Sequence, residues 1–198
     1  RQWSRGLGDV YKRQELEINN KKRNEIAKAV KKAIENEIKA LEKLKKAKFA
    51  LTPEGIAISK NFNKNKGRLI WPVERGEITS KYGRHQHHLV TTAFVDNNGV
   101  DITTSKNANV RAVFEGKVTS VLIIPGAGRV VMVSHGEYRT VYANLQEVYV
   151  KKGDYVKPKD KLGKLLAKES GISESHFEIW RILASGMSTV NPSFWLSK

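Results

Sequence analysis

The chain has 198 residues, of which 39% are hydrophobic and 28% charged, enough for one packed domain with an appendage but not for two large domains. It carries 36 Lys and Arg against 20 Asp and Glu, so its net charge of +16 favours polyanionic surroundings such as nucleic acid, anionic lipid or an anionic wall polymer. The chain has no cysteine, which excludes disulfide frameworks, thiolate zinc sites and cysteine nucleophiles.

Residues 1–14 match no pattern further along the chain. Their sequence, RQWSRGLGDVYKRQ, resembles translated adapter read-through at the end of an environmental sequence fragment. We therefore predict a sequencing artefact or a disordered tail, with a short native loop as the alternative. The chain does not begin with Met and its first residues show no signal-peptide pattern, so we expect a fragment whose targeting segment is missing.

Residues 15–50 are rich in Lys, Glu, Ala, Ile and Leu and contain neither Gly nor Pro, a composition typical of a helix. Apolar residues recur every three or four positions and form one narrow stripe: Ile26, Val30, Ile34, Ile38, Leu41 and Leu44. A thin stripe on a charged helix needs an apolar partner, so we predict a coiled-coil arm that can be separated from the rest of the protein.

Residues 51–67 contain Pro53 and Gly55 and end in the polar string NFNKNKG, which we interpret as a linker. From residue 68 to 198 the pattern becomes one of short strands separated by glycine turns, which predicts a mainly β, barrel-sandwich domain. The predicted strands are Leu69–Val73, Thr92–Val95, Val110–Phe114, Lys117–Ile124, Arg129–Val133, Tyr138–Ala143, Lys164–Ala167 and His176–Ile182.

The chain has only five histidines, and three of them, His85, His87 and His88, crowd one loop where they could bind a metal adventitiously. His135 precedes a glycine and is predicted to be a turn residue. His176 begins the string HFEIW, in which strand alternation places it on one face with Glu178 and Trp180.

Several segments occur in an order that resembles the lysostaphin-type (LytM-like) zinc endopeptidase domain of cell-wall hydrolases. They are NNGVDI (97–102), VRAVFEGKVTSV (110–121), VYANL (141–145), VKKGDYVKPKDKLGKL (150–165) and ESHFEIW (174–180). The preceding helix and linker, with IWPVERGEITSKYG (70–83) and VLIIPGAG (121–128), are most similar to murein hydrolase activators of the EnvC type. The resemblance implies a barrel-sandwich fold of the duplicated hybrid motif kind.

In active members, the resemblance implies three zinc ligands, the His and Asp of an H-x-x-x-D motif and the second His of H-x-H. It also implies two catalytic histidines, one in a Y-G-H-L segment and the other the first of H-x-H. On this chain the ligand positions carry Asn97, Asp101 and His176, and the catalytic positions carry Asn144 and Glu174. Two ligands therefore remain, and both catalytic histidines are missing.

This residue set disfavours hydrolysis on chemical grounds. A catalytic zinc needs about three strong protein ligands, and the neutral amide oxygen of Asn97 is a poor substitute for imidazole. Asn144 cannot transfer a proton, and general acid–base help is worth about 10²–10⁴-fold in rate. Glu174 could still act as a base or a carboxylate ligand. We expect Asp101 and His176 to hydrogen-bond each other instead of holding zinc, so no cofactor is predicted.

The resulting hypothesis is a non-catalytic activator of peptidoglycan (murein) amidases in cell-wall remodelling and daughter-cell separation. Its binding groove would be lined by Asn97, Asp101, Asn144, Glu174 and His176. The resemblance implies a periplasmic or cell-envelope location, with a cell-wall amidase and peptidoglycan as partners. It also implies a helical arm that restrains or exposes the groove under control of a division-associated membrane transporter complex.

Three other functions remain as alternatives. The first is an active zinc metalloendopeptidase that cleaves peptidoglycan cross-bridges, and it would need zinc as cofactor. The second is a biotinyl or lipoyl carrier domain, suggested by the string at 150–165, although no lysine at a tight hairpin tip is apparent. The third, a nucleic-acid binder, rests on net charge alone; much of that charge precedes the β domain, so no nucleic-acid partner is predicted.

Overall fold

The computed structural model describes residues 2–45, 52–87 and 89–198. Within these residues, two helices, α1 and α2, precede twelve strands and a closing 3₁₀ turn. In chain order they are α1 Gln2–Lys45, α2 Pro53–Lys64, β1 Glu77–Ser80, β2 Gly83–Gln86, β3 Phe94–Asn97, β4 Val100–Ser105, β5 Asn109–Arg111, β6 Gly116–Ile124, β7 Gly128–His135, β8 Tyr138–Val148, β9 Tyr155–Val156, β10 Lys161–Leu165, β11 Ile172–Leu183, β12 Gly186–Val190 and the 3₁₀ turn Pro192–Phe194.

Ten strands form one antiparallel sheet with the order β1-β4-β11-β8-β7-β6-β9, while β2 and β3 form a separate hairpin. β12 pairs antiparallel with β11, and β10 pairs with both β8 and β5. The architecture is therefore mainly β, as predicted, with sandwich-like packing and no closed barrel within the described residues. β4, β8 and β11 lie side by side at its centre.

Seven of the eight predicted strands are present with shifted bounds, and the exception is Leu69–Val73. That segment makes only an isolated bridge from Leu69 to Leu196. The sequence did not indicate β1, β2, β4, β9 or β12. Strand β4, VDITTS, was not predicted because it lacks the continuous apolar pattern expected of a strand inside a sheet. Polar side chains such as Asp101 and Thr104 are buried in it.

The main hydrophobic core lies on one face of the sheet and includes Val100, Ile102, Tyr142, Phe177 and Ile179, all fully buried. The opposite face of the same strands carries a second apolar cluster, with Met132, Val141, Ala143, Trp180 and Ile182. Helix α1 covers this second face, which we call the outer face.

Helix α1 docks on the protein's own sheet, which corrects the prediction of a separable coiled-coil arm. Ile26, Val30 and Ile34 of its apolar stripe are at most 1% exposed and pack into the outer-face cluster, with Ile38 beside them. Glu37 anchors the helix further through two hydrogen bonds from Arg139, at 2.5 and 3.2 Å. The stripe needs an apolar partner, and the sheet provides it.

Two segment boundaries also differ from the sequence interpretation. Residues 2–14 continue α1 as helix, so they are not a disordered tail, while their origin as an artefact stays a prediction. Residues 46–50 of the predicted arm lie outside the described residues.

The predicted linker 51–67 contains helix α2. Thr52 caps this helix by accepting a hydrogen bond from the Gly55 amide, and Pro53 occupies its first turn, where a proline is compatible with a helix. Phe62 is fully buried in the main core and stacks on His135 and Tyr138, with both ring centroids 4.8 Å away. The segment is therefore a packed part of the β domain instead of a free linker.

Within the described part of the chain, no helix combines the length and apolar character required to cross a membrane.

Candidate functional site

A two-residue bend connects β3 to β4 and brings Asn97 and Asp101 together. The Asn97 side-chain oxygen accepts a hydrogen bond from the Gly99 amide at 3.0 Å, which fixes the turn. Gly99 lies so close to β11 that a Cβ atom would be 2.1 Å from the carbonyl oxygen of Phe177. Glycine is therefore required for this bend to approach the strand that carries His176.

The register of the sheet then pairs Asp101 with His176. In β4 and β11 these two residues are direct partners, and His176 is opposite Ala143 of β8 on its other side. The Nδ1 of His176 lies 2.6 Å from Oδ1 of Asp101, so the predicted hydrogen-bonded pair is present. Asn97 completes the group because its amide nitrogen lies 3.4 Å from Oδ2 of Asp101.

Strand alternation continues the site along β11, as predicted, to Glu178 and Trp180. The Nε2 of His176 lies 2.8 Å from Oε1 of Glu178, and the Trp180 indole donates to the other oxygen of Glu178 at 2.6 Å. His176 therefore faces a carboxylate at each ring nitrogen. Burial alone would lower the pKa of His176, but hydrogen bonds and charges from Asp101 and Glu178 outweigh it and raise the pKa to about 10.

Helix α1 supplies the remaining partner of Asp101. Arg23 donates from Nη2 and Nε to Oδ2 of Asp101, at 2.5 and 3.1 Å, and its third nitrogen donates to Asn20 at 3.2 Å. Burial alone would raise the pKa of Asp101. The hydrogen bond and charge of His176, together with those of Arg23, lower it instead to about 2. Both oxygens of Asp101 are therefore occupied by cationic donors.

Asn144 and Glu174 line a small pocket beside this pair, under α1. Asn144 adopts a left-handed backbone conformation, φ 66°, and donates to the Glu174 carbonyl oxygen at 3.0 Å. Its own side-chain oxygen is buried and has no hydrogen-bond partner among the described residues. The Glu174 carboxylate forms an ion pair with Lys168 at 3.0 Å. Burial lowers the pKa of Lys22, a helix residue on the same pocket, although Glu174 opposes that shift.

The structure brings together all five residues predicted for the site. Asp101, Asn144, Glu174 and His176 line the pocket, and Asn97 lies behind Asp101. The loop histidines do not create a second site: among the described residues no three His, Cys, Asp or Glu side chains are placed to hold a metal ion, and His88 lies outside those residues.

The sequence reasoning missed Arg23, Lys22 and Asn19, the polar residues of α1 that line the pocket. One signal was available. Arg23 is the single arginine among the eleven basic residues of 15–50. Arginine differs from lysine in its planar fork of donors, so an isolated arginine in a lysine-rich helix can mark a specific carboxylate contact.

The residues present do not fit the zinc ion that the family resemblance implies. Zinc binds lone pairs of imidazole nitrogen and carboxylate oxygen, whereas both ring nitrogens of His176 and both oxygens of Asp101 are engaged in hydrogen bonds. The third ligand position carries the amide of Asn97. Arg23 adds a fixed positive charge where a dication would need to lie.

Comparisons with known proteins agree with this fold. Residues 95–192 match Peptidase family M23. An uncharacterized metalloprotease of Haemophilus influenzae is 35% identical over 119 residues, which are 57% of this chain and 25% of that protein. The peptidoglycan DD-endopeptidase ShyB of Vibrio cholerae is 33% identical over 131 residues, which are 63% of this chain and 29% of ShyB. The chain thus spans less than a third of the length of these curated relatives.

Among solved structures, a chain of the SpoIIQ-SpoIIIAH pore forming complex superposes with a TM-score of 0.52 and 25% identity. The match covers 67% of this chain and 93% of that one. The sheet, the positions of Asp101 and His176, and the sequence match over 95–192 lead to the same conclusion. Residues 95–192, the larger part of the β domain, match Peptidase family M23, and the domain has the lysostaphin-type fold.

Proposed function

We propose that this protein is a non-catalytic activator of peptidoglycan amidases, acting in the periplasm or cell envelope during cell-wall remodelling and daughter-cell separation. It would engage the amidase through the pocket of Asp101, Asn144, Glu174 and His176, which we call the groove. Peptidoglycan as the surrounding substrate is supported by the similarity to ShyB, a peptidoglycan endopeptidase.

The observation that carries the proposal is the state of His176. Its two ring nitrogens bond to Asp101 and Glu178, so the side chain has no lone pair for a metal and cannot accept a proton from water. Asn144 and Glu174 stand at the positions where the family resemblance implies catalytic histidines. A concave polar site without this chemistry is suited to binding.

Helix α1 covers the groove, so amidase binding would require this helix to leave. The helix is basic and the groove contains the carboxylates of Asp101 and Glu174. Lys22 and Arg23 face that acidic surface, and Ile26 borders the same pocket. Control of α1, by a division-associated membrane transporter complex, would then control access to the groove.

The alternative function is an active zinc endopeptidase. This function is supported by the similarity to two relatives, a metalloprotease and a DD-endopeptidase. It is also supported by the Glu174 carboxylate, which lines the same pocket as His176. For this function α1 would have to leave and both Asp101 and His176 would have to exchange their hydrogen bonds for zinc.

Dye release from purified sacculi, with and without a cell-wall amidase, separates the two functions. We expect no release by the chain alone and less than one zinc per chain by elemental analysis. We expect increased release by the amidase when the chain is present, and more with Arg23→Ala, whose helix α1 has lost its contact with Asp101. Stoichiometric zinc with release by the chain alone would establish the endopeptidase.

A charge-reversed groove locates the amidase site. Glu174→Lys places a third cation beside Lys22 and Lys168, so we expect at least a tenfold loss of amidase activation. Glu169→Lys is the matched control, because Glu169 is an exposed residue of the same sign on the preceding turn. Equal activation by the two variants would show that the amidase binds elsewhere.

A further inference from the structure

Without α1, the buried part of the site would contain more negative than positive charges. Asp101 and Glu178 are at most 1% exposed, and both accept hydrogen bonds from His176. A ring that donates from both nitrogens to carboxylates carries one positive charge. Two carboxylates and one imidazolium leave a net negative charge in a region where an unpaired charge is strongly destabilising.

Arg23 supplies the missing positive charge. Its guanidinium places two nitrogens on Oδ2 of Asp101 and a third on Asn20, whose own amide donates to the Phe94 carbonyl at 3.0 Å. The Arg23 side chain is only 13% exposed. All three guanidinium nitrogens of Arg23 therefore donate hydrogen bonds, and the ion pair is largely buried instead of exposed at the surface.

We propose that the groove is a guanidinium-binding site, which Arg23 occupies in cis, and that the partner segment which replaces α1 presents an arginine side chain to Asp101. The second half of this statement rests on the proposed function, whereas the guanidinium site itself does not. The position where the family's zinc does not fit thus accepts an organic cation that α1 supplies.

The donor and acceptor pattern favours guanidinium over a metal or an ammonium group. Asp101 offers one oxygen to two nitrogens of the same planar group, a geometry that a lysine ammonium cannot reproduce. The buried Asn144 oxygen, which has no hydrogen-bond partner within the described part of the chain, provides a further acceptor in the same pocket for an N–H donor. A metal would instead need lone pairs that His176 already uses for its protons.

Chemical rescue of the full chain tests the site. Arg23→Ala should lower the melting temperature by about 5–10 °C, because it leaves a buried carboxylate short of a partner. Ethylguanidinium at tens of millimolar should recover several degrees in a saturable way, ethylammonium less, and zinc nothing. The parent chain should not respond to ethylguanidinium.

Three variants serve as controls. Arg13→Ala removes an arginine of the same helix whose only described hydrogen bond, to Thr92, is 3.5 Å long, so it should neither lower the melting temperature nor create a response. Asp101→Asn added to Arg23→Ala should abolish the response. Arg23→Lys, which keeps the charge, should melt between the parent and Arg23→Ala and so provides a folded comparison if the alanine variant is too unstable.

The outcomes separate this inference from the proposed function. Stabilisation of Arg23→Ala by stoichiometric zinc, or no response to ethylguanidinium, would overturn the guanidinium site. With an amidase present, ethylguanidinium should reduce activation by Arg23→Ala several-fold. Thermal rescue with unchanged activation would overturn the partner's arginine. If neither the parent chain nor any variant activated the amidase, the proposed function would be contradicted. The thermal rescue by ethylguanidinium would still test the guanidinium site independently.

Discussion

The two buried histidines His176 and His135 show how one residue type reaches opposite charge states in one sheet. Both are at most 1% exposed, and both ring nitrogens of each are hydrogen-bonded. His176 lies between two carboxylates, whereas His135 lies between the Glu115 backbone carbonyl and the Thr140 hydroxyl. Burial, which disfavours the charged form, lowers the pKa of His135 to about 3, while the carboxylates raise that of His176 to about 10.

The difference shows that hydrogen-bond partners, and not burial, determine which buried histidine is charged. The Thr140 hydroxyl, unlike a carboxylate, can donate to Nε2 of His135 as well as accept from it, so a neutral ring can be satisfied there. Phe62 stacks on the neutral ring. Carboxylates can only accept, so His176 must keep both protons and becomes part of a charge network that reaches α1 through Asp101 and Arg23.

The largest expected effect is the loss of the charged histidine. His176→Leu removes the one cation shared by Asp101 and Glu178, so the free energy of unfolding should fall by about 3–5 kcal/mol. Urea unfolding of the full chain measures this change in the free energy of unfolding. His176→Gln, which keeps one donor and one acceptor at similar size, should lose less. A loss below 1 kcal/mol for His176→Leu would show that the network is dispensable.

The same substitution at the neutral histidine should cost less. His135→Leu removes the hydrogen-bond partner of the Glu115 carbonyl and of the Thr140 hydroxyl but leaves no charge unpaired. The free energy of unfolding should therefore fall by about 1–3 kcal/mol. Leucine also preserves apolar contact with Phe62. The comparison is contradicted if His135→Leu destabilises the chain more than His176→Leu in the same urea titration.

The sequence predicted the outline of the site better than its surroundings. The segment order identified Asp101 and His176, and strand alternation placed Glu178 and Trp180 beside them, because both depend on regular local geometry. The sequence also marked His135 as a turn residue, but it ends strand β7 and is fully buried. Its environment depends on Phe62 of α2, which no local pattern connects to it.

The position of α1 could not be predicted for a similar reason. An apolar stripe requires a partner surface, but it does not specify whether that surface is another helix or the outer face of the sheet. The choice depends on Met132, Val141 and Trp180, which come together only after the sheet forms. Arg23 becomes part of the site only through that docking, so its role follows from tertiary structure alone.

The two histidines should also give the stability of the protein two opposite pH dependences. His176 keeps its proton to about pH 10 in the folded state but releases it near 6.5 when unfolded, so its contribution is complete below pH 6.5 and is lost between 6.5 and 10. His135 resists protonation until about pH 3 when folded, so its contribution is lost as pH falls from 6.5. Each slope can reach about 1.4 kcal/mol per pH unit.

Each single variant should remove either the acid or the alkaline decline in the free energy of unfolding. This pH dependence is the smallest expected effect but the most selective test of the comparison. Urea unfolding at pH 5, 6.5 and 8 should place the parent's maximum near pH 6.5. His176→Leu should flatten the decline between 6.5 and 8, and His135→Leu should flatten the decline between 6.5 and 5. Asp101 has a pKa of about 2 in the folded state and an ordinary value of 3.8, so it is ionised in both states throughout this range and adds almost nothing to either slope. If His176→Leu keeps the alkaline decline, the ring between the two carboxylates is not the titrating group, and its charge has to be reassigned.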